Sequence, residues 1–197
     1  MLEDKIRPQF QAIFVTPVAQ IFSKFCHPNQ ITAIALSIGI FSAITLVFDL
    51  RTIAILLLLL SGYLDILDGA IARINKQSSP FGTMMDILSD RFVESAIIIA
   101  LVYRQSELAF VGLFMLSAML LCVSSFLIAG IFSSEASHKS FHYSSGLMER
   151  AEAFIFFIIM ILLPSLAFYL GVIFTVLVLW TAIVRLYEFY KMTNKAL

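Results

Sequence analysis

Apolar residues run along this chain in long blocks, and the polar residues between them fall in short clusters. The first segment is different. Over residues 3–25, Ile6, Phe10, Ile13, Phe14, Val18, Ile21, Phe22 and Phe25 recur at helical spacing, with Lys5, Arg7, Gln9, Thr16, Gln20, Ser23 and Lys24 mainly between them. That pattern predicts an amphipathic helix lying in a membrane interface, apolar face down. Pro8 suits its first turn, and Pro17 would kink it. After the breaker His27-Pro28-Asn29, six apolar segments follow at about 30–49, 52–74, 81–103, 108–133, 150–166 and 167–190, each near the roughly 20 residues that cross a bilayer. The expected fold is an all-α integral membrane protein, with an interfacial helix over residues 1–27 and six transmembrane helices over 28–197. One long polar connection, SSEASHKSFHYSSG, separates the fourth and fifth spans.

Composition agrees with a membrane protein and removes other classes. The chain is 60% hydrophobic and 13% charged, against about a quarter charged in soluble domains. Formal charge is zero, which argues against a nucleic-acid binder. Cys26 and Cys122 stand far apart, Cys122 inside an apolar run, so no disulfide framework is expected. The opening MLEDKIRPQF begins with acids and lacks a short apolar core, so no cleavable leader is expected either.

Basic residues set an orientation. Lys5, Arg7, Lys24, Arg73, Lys76, Arg91, Lys139, Arg150, Arg185, Lys191 and Lys195 flank one side of the spans, and only Arg51 and Arg104 the other. The basic-rich side is cytoplasmic, so both termini are expected there, as an even number of spans requires.

Against this background the stretch DILDGAIARINKQSSPFGTMMDILSD is anomalous. A charge facing lipid at mid-bilayer costs at least about 2.5–3.5 kcal/mol, so such residues face a cavity or a partner. Asp65 and Asp68 are three apart, and Asp86 and Asp90 four apart, so each pair shares a helix face. With a turn near residues 75–81, Asp68 and Asp86 both lie about 8–10 Å from it, and Asp65 and Asp90 about 14–15 Å. Four carboxylates at two matching levels repel unless metal compensates them. All-oxygen ligands favour Mg²⁺ or Mn²⁺, and two such ions would balance Asp65, Asp68, Asp86 and Asp90. Gly69 and Ala72 leave room beside the same face, and Arg73 stands one turn nearer the cytoplasm, suited to phosphate. Together these point to phosphate-ester chemistry at the cytoplasmic side.

Asp65-x-x-Asp68-Gly69-x-x-Ala72-Arg73, eight residues, Gly82-x-x-x-Asp86-x-x-x-Asp90 resembles the signature of the CDP-alcohol phosphotransferases at every position. The likeness extends to chain length, the six-span layout, the interfacial helix and Pro28-Asn29-x-x-Thr32 opening span one. The resemblance implies transfer of a substituted phosphate from a CDP-linked donor, such as CDP-diacylglycerol, to an alcohol acceptor with release of CMP. It implies that Asp65, Asp68 and Asp86 hold the divalent metals and that Asp90 is the general base. Gly69, Ala72, Arg73 and Gly82 would line the nucleotide site, with Asn29 and Thr32 as neighbours, and the protein would be a homodimer in the inner or plasma membrane if bacterial.

The acceptor is less legible. Gly146, Glu149, Arg150 and Glu152 resemble a segment of members that use inositol phosphate, but Ala153 replaces their usual second arginine. No Gly-Lys-x-Lys-Thr-like segment of glycerophosphate-using members is present. Arg150 is therefore a candidate acceptor contact or an interfacial anchor, and Glu94 an acceptor contact or the ion-pair partner of Arg91. His138 and His142, four apart in a Ser-rich loop without a third ligand, read as coincidence, and Arg185 and Glu188 as membrane anchors. An intramembrane prenyltransferase would need more spans, and a divalent-cation carrier has no use for Arg73 beside its path.

Overall fold

The computed structural model describes residues 11–136 and 150–194, apart from the side chains of 12 and 133–136. All regular structure among the described residues is helical. One π-helical turn, Gln11–Val15, leads into α1 (Thr16–Phe22), followed by α2 (Pro28–Val47), α3 (Arg51–Ile74), α4 (Pro80–Arg104), α5 (Ala109–Ala136), α6 (Arg150–Leu162) and α7 (Ala167–Asn194). Among the described residues, four helical stretches are long and apolar enough to cross a membrane by length and composition: Pro28–Val47, Arg51–Ile74, Ser106–Phe132 and Pro164–Asn194. The protein is thus an integral membrane protein. The remaining two long elements differ from these for visible reasons: α4 carries Asp86, Asp90, Arg91 and Glu94, and α6 has 13 described residues.

The chain divides into two compact units, residues 1–106 and 107–197. In the first, α2 packs along both α3 and α4, and α1 packs on α3. Chemistry at the start of α2 explains its sharp entry. The His27 backbone N–H donates to Gln30 Oε1 (3.1 Å), His27 Nδ1 accepts from the Asn29 N–H (3.3 Å), and Pro28 occupies the first turn. Small residues then let the helices close. A Cβ on buried Gly39 would collide with the Val93 side chain of α4 and come within 2.9 Å of Ser61 Oγ on α3. Ser61 Oγ donates to the Ala35 carbonyl (2.8 Å) and Ser42 Oγ to the Ala54 carbonyl (2.6 Å), tying α2 to α3. At the far end, Asp49 Oδ1 accepts from Arg51 (2.9 Å) and Arg104 (2.7 Å), joining the start of α3 to the end of α4. The Arg51 hydrogen bond and the Arg104 charge hold that carboxyl below the usual carboxylate range.

The N-terminal segment differs from its sequence reading in one respect. Ile13, Phe14, Ile21, Phe22 and Phe25 are exposed, as a membrane-facing surface requires. Val15 and Ala19, which the lipid-facing pattern did not single out, are buried against Ile31, Leu67, Ala70 and Ile71. Tyr63 Oη donates to the Phe14 carbonyl (2.9 Å) and Asn75 Nδ2 to the Ser23 carbonyl (2.9 Å), so the segment is fastened along α3. Pro17 lies in the first turn of α1, where the π-helical turn gives way to α-helix. Ile6, Phe10, Lys5, Arg7, Pro8 and Gln9 lie outside the described residues.

In the second unit α5 and α6 each pack on α7. Gly171 of α7 is again a close approach, with Val111 and Met115 of α5 against it, and Phe174 stacks near Phe156 and Phe157 of α6 at 5.9 and 5.5 Å between ring centroids.

Candidate active site

The last turns of α3 and the first turns of α4 meet through residues 75–79. Lys76 turns the chain at φ 54°, and the Gln77 N–H donates back to the Ala72 carbonyl (2.9 Å), closing the end of α3. Ser79 restarts the helix: its backbone is extended, its hydroxyl oxygen accepts from the Gly82 N–H (3.0 Å), and Pro80 follows it. This short connection brings the end of α3 and the start of α4 together, while along their lengths both helices pack on α2.

Three carboxylates converge near this connection. Asp65, Asp68 and Asp86 each offer an oxygen, and these oxygens all lie within 4.8 Å of one another. Asp68 is buried, at 5% exposed, and Asp65 and Asp86 are half-buried. Asp90, one turn further along α4 and also half-buried, is not one of this group. The matched level of Asp68 and Asp86 is realised, and Asp65 joins them. Like charges at this separation repel by about 3 kcal/mol per pair at an effective dielectric near 20. Three carboxylates from two helices, one of them buried, form an all-oxygen donor set that fits a hard divalent cation.

Beside this cluster lies a pocket of about 150 Å³. Asn29, Thr32, Asp68, Gly69, Ala72, Arg73, Gly82 and Asp86 all line it. α2 contributes through its first turns: Thr32 Oγ1 donates to Asp68 Oδ2 at 2.5 Å. Gly82 permits a close approach, because a Cβ there would meet Asn29 Oδ1 and Ser79 Oγ, each at 3.2 Å. Gly69 is different. A Cβ there would meet only the Arg73 guanidinium, at ordinary contact distance (3.5 Å), so the protein leaves open space over that turn of α3. Pro28, part of the Pro28-Asn29-x-x-Thr32 segment, lines the pocket too; Gln77, Ser78, Ser79 and Thr83 also line it and were not singled out from the sequence, although Ser79-Pro80 ahead of a helical pattern is a recognisable helix start.

Other candidates separate. Arg91 clasps Glu94 through Nη1–Oε2 (2.7 Å) and Nη2–Oε1 (3.1 Å), with Glu94 only 1% exposed, which is the ion-pair reading of that carboxylate. Arg150 belongs to the second unit, half-buried with its guanidinium 5.2 Å from the Phe154 ring centroid. Arg185, expected as a membrane anchor, lies over the Phe126 ring (5.4 Å), with Nη1 3.5 Å from Cys122 Sγ. His138, His142, Lys139, Gly146 and Glu149 lie outside the described residues.

The sequence model of the CDP-alcohol phosphatidyltransferase family matches residues 25–186. Inner membrane protein YnjF of Escherichia coli strain K12 is 26% identical over 100% of this chain and 98% of its own length. An archaetidylinositol phosphate synthase of Methanothermobacter thermautotrophicus is 36% identical over 114 residues, 58% of this chain and 53% of that relative. Larger relatives are matched over a smaller share, and the chain spans 20% of a bifunctional IPC transferase and DIPP synthase of Thermococcus kodakarensis. In fold the chain is similar to a crystal structure of Mycobacterium tuberculosis phosphatidylinositol phosphate synthase with CDP-DAG bound. The TM-score is 0.76 at 19% identity, over 90% of this chain and 94% of that one. A second structure of that synthase, in complex with manganese and citrate, gives a TM-score of 0.74.

Proposed function

Because this chain belongs to the CDP-alcohol phosphatidyltransferase family, we propose that it transfers a substituted phosphate from a CDP-linked lipid to an alcohol and releases CMP. The observation that carries this reading is the pocket in which Asp68, Asp86, two glycines and Arg73 converge beside the Asp65–Asp68–Asp86 cluster. A CDP-diacylglycerol-like donor is favoured by the ligand of the mycobacterial structure, and Mg²⁺ or Mn²⁺ by the manganese in its second structure.

Asp65, Asp68 and Asp86 would hold the ions, two per site, which supply charge neutralisation to the donor's diphosphate. Arg73 binds a phosphate oxygen from the open side of the pocket, and Gly69, Ala72 and Gly82 admit the nucleotide close to the helix backbones. Asn29 edges the same space. Asp90 takes the proton from the acceptor hydroxyl as its oxygen bonds to phosphorus. The bond from that phosphorus to the CMP oxygen breaks, and CMP leaves with the electron pair. A carboxylate is a weak base for an alcohol, so the acceptor must be held in line and lose its proton late. The acceptor is of the inositol phosphate type, in keeping with the activity named for the archaeal relative, with Arg150 as its candidate contact and Glu94 as the less favoured one. In this reading α2 to α7 make six spans, the pocket and both chain ends face the cytoplasm, and the protein is a homodimer.

The test is CMP release by purified protein given CDP-diacylglycerol, Mn²⁺ or Mg²⁺, and a panel of alcohols including inositol phosphate and glycerol phosphate. Metal-dependent CMP release with one acceptor is expected. If none releases CMP while liposomes carrying the protein take up Mn²⁺, the transferase reading fails in favour of a cation carrier.

A further inference from the structure

Thr32 lines the pocket, yet its one proton is already committed. Its hydroxyl oxygen lies 2.5 Å from Asp68 Oδ2 and 3.2 Å from the Pro28 carbonyl oxygen, and both are acceptors. A hydroxyl donates once, and the shorter bond to a carboxylate is the stronger. Phosphate oxygens are acceptors too. Thr32 can therefore donate to a nucleotide only by releasing Asp68, whose carboxyl is 5% exposed and would lose a hydrogen-bond donor in a poorly solvated place. The contact also joins two helices: Thr32, itself 4% exposed, stands on the second turn of α2, and Asp68 on the second-last turn of α3.

We propose that Thr32 is a positioning residue for the metal site, its hydroxyl fixing the orientation of the Asp68 carboxylate within the Asp65–Asp68–Asp86 cluster, and not a hydrogen-bond donor to the nucleotide's phosphates. This rests on the proposed metal-dependent transfer and assigns α2 a part in it. An unrestrained aspartate samples several χ1 and χ2 rotamers, and a cation bound by it must first select one. Thr32 makes that selection before any ligand arrives, and outer partners of this kind are worth about 10–100-fold in metal affinity.

The experiment measures Mn²⁺ binding to purified protein by electron paramagnetic resonance without donor, then kinetics, for wild type, Thr32→Val, Thr32→Ser and Asp68→Asn. Valine keeps the shape and removes the donor; serine keeps the donor. Thr32→Val is expected to bind Mn²⁺ about tenfold or more weakly. Thr32→Ser should bind like wild type, and saturating Mn²⁺ should restore most Thr32→Val turnover but not that of Asp68→Asn. Wild-type Mn²⁺ affinity in Thr32→Val overturns the proposal, and a raised KM for CDP-diacylglycerol in that case makes Thr32 a nucleotide contact. Failure of Thr32→Ser to recover affinity in a folded protein reduces Thr32 to helix packing and overturns it equally. If the wild-type protein itself binds no Mn²⁺, the metal reading of the site falls, which is a distinct result.

Discussion

Asp90 and Asp68 are both carboxylates on facing helices, and the roles proposed for them separate in one comparison. Asp68 belongs to the three-carboxylate group and lines the pocket; Asp90 does neither. Asp90→Asn should bind Mn²⁺ and donor nearly as wild type while losing roughly 10²–10⁴-fold in turnover, as removal of a general base does. Asp68→Asn should lose metal-dependent donor binding. Equal loss of donor binding in the two variants would remove the base assignment. These residues were legible in the sequence because helix periodicity converts spacing into facing: 3 and 4 residues within each pair, and equal distances from one turn between pairs. The rise per residue matched Asp68 with Asp86, but it carries no information about side-chain reach. That Asp90, matched by rise with Asp65, stands outside the three-carboxylate group therefore needed coordinates. Ser79, Gln77 and Thr83 escaped for another reason. They are placed by a turn and a cap, whose geometry is set by backbone hydrogen bonds and not by periodicity.

Among the elements, the helix boundaries were the most readable feature, since Pro28, Pro80 and Pro164 mark helix starts and breaks in apolar blocks. Which face of each helix meets protein was not. In a bilayer, lipid is as apolar as a core, so hydrophobicity does not distinguish them, and small residues carry the distinction instead. The N-terminal segment shows this directly: its large side chains Phe14, Phe22 and Phe25 are exposed, while Ala19 and Val15 meet α2 and α3. Gly39 and Gly130 make a test of the same rule. A Cβ at Gly39 would strike Val93, whereas one at Gly130 meets nothing within 4 Å. Gly39→Ala should therefore cost about 1–3 kcal/mol, seen as a lower melting temperature in detergent, and Val93→Ala in the same chain should recover part of it. Gly130→Ala should be neutral or slightly stabilising, because alanine is the better helix former. Equal effects at the two positions would sink the close-packing account of α2 against α4.

For the whole molecule, orientation rests on charge. In the proposed six-span topology, basic residues lie on the side carrying the turn at Lys76, with Arg51 and Arg104 as the exceptions. The structure explains those two. Both guanidiniums reach Asp49 Oδ1, so they mark the same end of the first unit, and a carboxylate already answers part of their charge. They therefore weigh little against the remaining lysines and arginines, which favours the proposed cytoplasmic placement of the turn that closes the pocket. This is testable without assaying the reaction. In a background with Cys26→Ser and Cys122→Ala, single variants Lys76→Cys and Gln105→Cys place one thiol at each end of the α3–α4 pair. A membrane-impermeant maleimide added to intact cells should label the Gln105→Cys protein and spare Lys76→Cys until the cells are permeabilised. Under the proposed six-span topology, tags at the two chain ends should be shielded like Lys76→Cys, because an even number of spans returns the chain to its starting side. The reverse labelling of the two thiols would invert the orientation and put the pocket on the side away from cytoplasmic CDP-lipid. Opposite accessibility of the two tags would leave the pocket where it is and remove one span from the count.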